Sequence, residues 1–228
     1  MAQLLLALAV FLFLHSVPAL QPVRARLVRL LGRGAYLAFY SVISVLVLVW
    51  VFKSALDLDP VPLWEVQPWQ AWVPMVLTPI ALFLLFAGLA SANPLSVTLR
   101  PGNSPPGAIV AITRHPVLWG FLLWAGSHLV PNGDLRSVIL FGVLLAFALG
   151  GIPLAERRAR RHLGARWDAV ARGTSIVPFV AILSGRASFR TDRAMRVAFV
   201  VSALVTSWLL LGGHAALFGA DPLALARG

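Results

Sequence analysis

With 228 residues, 59% of them hydrophobic and only 12% charged, the chain has too little polar surface to cover a water-facing globule. Its net charge of +11 does not read as nucleic-acid binding, because the basic residues stand in blocks between apolar runs and not on one polar, aromatic-rich face. There is no cysteine, which excludes disulfides, thiolate metal sites and a Cys nucleophile.

A membrane span needs about 20 mainly apolar residues. In chain order the candidates are 2–20, 35–56, 72–90, 117–130, 137–154 and 194–218, the fourth being short unless it starts near Ala108 with Pro116 as a kink. The apolar start lacks a basic leader and is followed, not preceded, by arginines, so it reads as an uncleaved first span. Pro60, Pro62, Pro68 and Pro74 predict an extended loop before the third span, with Trp64, Trp69 and Trp72 at the membrane interface. Asn93-Pro94 and the PGNSPPG run at 101–107 predict a turn-rich connection. The run ERRARRHLGARWDAVARG that starts at Glu156 spaces Leu163, Trp167 and Val170 opposite a dense arginine face, as in an amphipathic helix resting on anionic lipid. Thr174, Ser175, Pro178 and Phe179 follow as a connector or interfacial element. The expected fold class is therefore all-α: a polytopic integral membrane protein of about six transmembrane helices with an amphipathic cytoplasmic surface helix. It forms one transmembrane domain over 1–228.

Charge sets the expected orientation. Putting the first, third and fifth loops on one side collects 16 of the 19 basic residues there. Lys53, Arg136 and Arg227 stay on the other side with Asp57, Asp59, Glu65, Asp134 and Asp221. The positive-inside rule then places both termini outside, and the expected location is the bacterial inner membrane with both termini in the periplasm.

Polar groups within spans are costly and need a reason. His15 and His128 fall in spans and His115 beside one, whereas His162 lies in the basic helix and His214 near the end of the last span. Each intramembrane histidine reads either as a helix-bonding group or as a metal or heme ligand. No acid falls within an expected span, so a carboxylate-bridged metal site lacks its oxygens, and imidazole ligation of heme is favoured over zinc. Arg114, His115 and Pro116 precede an apolar run. They read either as an anion site, suited to a cofactor carboxylate, or as an arginine-rich helix start facing lipid phosphate.

The stretches FLFLHSVPALQPVR, GRGAYLAFYSVIS, LWEVQPW, SANPLS, ITRHPVLWGFLLWAGSHLVPNGD, the ERR from Glu156 and GTSIVPFVAILSGR resemble the NnrU family of bacterial membrane proteins, most strongly over residues 11–186. That resemblance implies a role in nitrite and nitric oxide metabolism, with respiratory or denitrification membrane proteins as partners. A relative, 15-cis-zeta-carotene isomerase, holds heme b between two histidines and acts on a lipophilic polyene. The match carries its ligands to His15 and His128, and Arg114 and His115 are expected to anchor the cofactor or a substrate at the inner face. Its switch cysteine falls at Ala125. Helix counting instead places His15 nearer in depth to His115, which makes His15/His115 the alternative pair. A non-catalytic assembly factor for a respiratory complex is the third reading. The RHP motif also has a weaker likeness to membrane methyltransferases of the isoprenylcysteine carboxyl type.

Overall fold

The computed structural model describes residues 1–16, 21–100 and 105–227. Residues 17–20, the end of the first expected span, and residues 101–104 of the expected turn-rich run lie outside the described residues. Among those described, every regular element is helical and the one β-bridge joins Pro62 to Asp134. Four helical segments are long and apolar enough to cross a membrane: Arg33–Leu56, Pro68–Ala90, Leu135–Ala171 and Arg193–Phe218. The helices at the first and fourth expected spans have 15 and 14 residues, shorter than the ~20 a straight crossing needs.

The chain divides into two compact units, Met1–Glu65 with Gly133–Val143, and Val66–Asn132 with Leu144–Gly228. In the first, α1 (Ala2–Ser16) and α2 (Gln21–Leu31) pack on α3 (Arg33–Leu56). Leu4, Ala7, Leu8 and Phe11 are the buried residues of α1, at the three-and-four spacing that makes one helix face. α3 also exposes Phe39, Val42, Val45, Leu46 and Val49, an apolar stripe suited to a lipid environment. The Gly133 carbonyl accepts the amides of Leu63 (2.7 Å) and Trp64 (3.2 Å), fastening the Trp-rich segment to residues 133–143.

In the second unit, α4 (Pro68–Ala90) packs on α6 (Pro116–Leu129) and α10 (Arg193–Trp208). The expected extended loop ends earlier than its prolines suggest: Pro68 opens α4 and Pro74 lies inside it. Pro68 fits because the first helical turn has no use for its missing N–H. At Pro74 the lost bond is tolerated in a helix buried against neighbours. Small residues set the α4–α6 approach, since a Cβ on Gly120 would stand 2.7 Å from the Ala81 carbonyl and one on Gly88 2.8 Å from Pro116.

Between them in sequence is the one-turn α5 (Ile109–Ile112). After α6 comes α7 (Leu135–Leu163), which continues nine residues past the expected end at Leu154 and divides its length between the two units. Arginines in its last turn favour the helix dipole, and Gly164, at φ +50°, ends it. The amphipathic segment then completes itself as α8 (Trp167–Ala171). Its apolar side is turned to protein, not lipid: Trp167 and Ala171 join Leu84, Ile109, Ile112 and Met195 in the core, with Leu163 and Val170 against them. The short α9 (Val180–Leu183) follows, and Asp192 caps α10 by accepting the Met195 amide at 2.9 Å. A kink at Leu211 and Gly212 separates α10 from α11 (His214–Phe218), after which α12 (Pro222–Arg227) packs on α4.

Candidate functional site

The second unit assembles a buried polar cluster around one carboxylate. Arg114 and His115 occupy the turn between α5 and α6, with Pro116 as the first residue of α6, as expected. Arg114 Nη1 donates to both oxygens of Glu156 at 2.8 Å, and Arg114 Nε donates to Thr174 Oγ1 at 2.9 Å. The guanidinium also stands over the Trp167 ring at 5.3 Å, while Arg160 covers that ring at 4.6 Å. His115 is fully buried, its Nε2 2.9 Å from Glu156 Oε1 and its Nδ1 2.9 Å from Ser96 Oγ. A carboxylate shared with arginine accepts only, so His115 Nε2 carries the proton and Nδ1 accepts from the serine hydroxyl. Both ring nitrogens are thereby engaged.

Loop backbone holds this cluster in place. Asn93 Nδ2 donates to the Arg114 carbonyl (3.0 Å), and the Arg114 amide donates to the Ser175 carbonyl (2.7 Å). Thr113 Oγ1 and Trp119 Nε1 both donate to the Ile176 carbonyl at 2.8 Å. The turn at Asn93-Pro94 and the segment at Thr174–Ser175 therefore serve as the walls of the cluster, with Asn93, Thr174 and Ser175 buried. Phe179, at φ +66°, turns the chain from this wall into α9.

Glu156 completes the cluster in a way the sequence did not show. It lies in α7, two residues beyond the expected end of the fifth span at Leu154, and is 8% exposed. Its burial follows from partners 41 and 42 residues away, which pattern along the chain does not reveal. The available signal was a single acid at the head of a run of arginines. Arg114 accordingly faces an internal carboxylate, where the sequence suggested a ligand anion or lipid phosphate.

Of the other two histidines, His15 belongs to the first unit and His128 to the second. His15 continues the buried face of α1. Its Nδ1 is 2.8 Å from the Phe11 carbonyl, and its ring lies 4.1 Å from that of Phe11 and 5.9 Å from that of Tyr40 on α3. His128 repeats this arrangement on α6, with Nδ1 2.7 Å from the Trp124 carbonyl and the two rings 5.3 Å apart. A carbonyl can only accept, so each Nδ1 carries the proton and each Nε2 keeps the lone pair. Among the described residues, no group of three or more His, Cys, Asp or Glu is placed to hold a metal ion. A porphyrin iron asks the protein for axial ligands only, because the macrocycle supplies the other nitrogens. Ala125 is fully buried in α6.

Comparison with known proteins agrees with this framework. The family described as NnrU protein matches residues 3–222. Over 188 residues the chain is 24% identical to the chloroplastic 15-cis-zeta-carotene isomerase of Arabidopsis thaliana, covering 80% of this chain and 51% of that protein. Over 84 residues it is 31% identical to the chloroplastic 15-cis-zeta-carotene isomerase of Zea mays, covering 37% of this chain and 23% of that protein. The chain thus spans about half the length, or less, of the curated relatives it matches. No solved structure matches it.

Proposed function

The chain belongs to the NnrU family, and from that premise we propose that it is a heme b-binding membrane protein that isomerises a lipophilic, zeta-carotene-like polyene. The carrying observation is the shared geometry of His15 and His128, each with Nδ1 bonded to the carbonyl four residues earlier. That is the kind of backbone bond that orients metal-ligating histidines. His115 is the poorer ligand, since Glu156 and Ser96 occupy both its nitrogens. The likeness to two zeta-carotene isomerases supports the substrate class.

His15 and His128 would hold the heme, which supplies one-electron redox chemistry when bound. The protein's own contribution is orientation and exclusion of water. Phe11 and Tyr40 cover the His15 ring, Trp124 lies beside that of His128, and the Arg114–Glu156 pair fixes the turn from which α6 begins.

A redox role in nitrogen-oxide metabolism is the second reading, and Ala125 favours it. A methyl group at that position offers no thiol for the ligand exchange implied by the isomerase likeness. The two readings separate in one assay: purified protein in liposomes is given a 15-cis polyene under reducing conditions, and the isomers are resolved by chromatography. Conversion that is lost in His15→Ala and His128→Ala supports the isomerase. No conversion by heme-loaded protein, beside an active isomerase control, refutes it and leaves the redox reading.

A further inference from the structure

The second unit contains a groove of ≈ 500 Å³ that the heme reading does not use. Phe86 and Leu89 of α4, Leu99, and Val197 and Val201 of α10 line it, and Arg100 is its one charged lining residue. The volume falls within the ~300–1,000 Å³ range of small-molecule sites, and the walls suit a hydrocarbon chain. Arg100 is held in place: its Nε donates to the Ala90 carbonyl and its amide to Thr98 Oγ1, both at 3.0 Å, while the Leu99 amide donates to the Leu89 carbonyl at 3.2 Å. These bonds fix the guanidinium at the carboxyl end of α4.

The charge at this groove is uncompensated. Arg100 makes no ion pair among the described residues. Asp192, the acid at the head of α10, is committed to the amides of Ala108 (2.8 Å) and Met195 (2.9 Å). Exposed Arg193 directly precedes the groove-lining residue Ala194 and adds a second cation. A neutral lipid in the groove would leave the exposed Arg100 charge unpaired beside apolar walls. An amphiphile with an anionic head answers both features together.

We propose that the groove seats an acyl chain of a bilayer phospholipid whose net-anionic headgroup pairs with Arg100. The site requires only that the chain be embedded in a bilayer and is independent of His15, His128 and any cofactor. The test uses the detergent-purified full chain, stripped of lipid, with dioleoyl phosphatidylglycerol or dioleoyl phosphatidylcholine added and bound lipid counted by native mass spectrometry. Phosphatidylglycerol should be retained over phosphatidylcholine. At about 1 kcal/mol per basic group, Arg100→Gln should weaken it ~5-fold and reduce the preference by the same factor. Val197→Trp, at a 52% exposed groove position, should reduce retention of both lipids. Lys53→Gln should change neither, and millimolar inorganic phosphate should fail to displace the lipid. Equal retention of the two lipids, an unchanged Arg100→Gln variant, an effect of Lys53→Gln equal to that of Arg100→Gln, or displacement by phosphate alone would each overturn the proposal.

Discussion

Removing the Glu156 carboxylate is the sharpest perturbation of the buried cluster. Glu156→Ala deletes the acceptor for two bonds from Arg114 and one from His115, with both sides of the ion pair 11% exposed. Taking one partner from a buried pair leaves an uncompensated charge and costs about 3–5 kcal/mol. At roughly 2–4 °C per kcal/mol for a chain of this size, the apparent unfolding midpoint should fall by roughly 6–20 °C. Replacing both charges, as in Arg114→Leu with Glu156→Leu, removes the orphaned charge and should cost less than the sum of the single variants. Lys53–Asp57 is the internal control: side chains there are 70% and 50% exposed, so Asp57→Asn should stay within about 1 kcal/mol of wild type. The assay is tryptophan fluorescence on heating in one detergent, with all variants at equal lipid content. A Glu156→Ala protein that melts with the Asp57→Asn protein would refute the claim that this carboxylate organises the site.

Other positions give independent tests. Gly120→Val should disrupt α4–α6 packing and lower the yield of monodisperse protein on size exclusion, because the new Cβ meets the Ala81 carbonyl at 2.7 Å. Asp192→Ala removes a helix cap and a bond to the Ala108 amide, and a loss of about 0.5–2 kcal/mol should appear in the same melting assay. Ser96→Ala leaves His115 Nδ1 without its donor, and a cost of about 1–3 kcal/mol is expected by thermal melting. His115→Gln should retain heme wherever it folds, as measured by absorbance per chain, because His115 is bonded within the cluster and is not proposed as a ligand.

The all-helical, membrane-type fold was legible because apolar run length is local information. The helices Arg33–Leu56 and Pro68–Ala90 follow from such runs, and Pro116 could be placed at a helix start from its own chemistry. What escaped depends on distant partners. Pro74 signalled a break but sits inside a packed helix, where neighbours absorb the lost bond. Glu156 sits in an arginine-rich run that reads as solvated, yet Arg114 and His115 bury it. Trp167 reads as the apolar side of a helix with arginines opposite, but Arg160 covers its ring and Ile109, Ile112 and Met195 enclose it in protein. Arg114 and His115 were recognised as a polar group, while the carboxylate that completes it was not. The identical Nδ1 bonds of His15 and His128 become visible only with the helices in three dimensions, although the four-residue spacing to Phe11 and Trp124 is present in the sequence.

The most direct test of the central claim is the pyridine-hemochrome spectrum of detergent-purified protein expressed with ample heme supply. The account predicts one heme b per chain, lost on His15→Ala and on His128→Ala in protein that still elutes as a folded species. A colourless wild type that gains no Soret band on hemin addition, or full heme content in both variants, would contradict it.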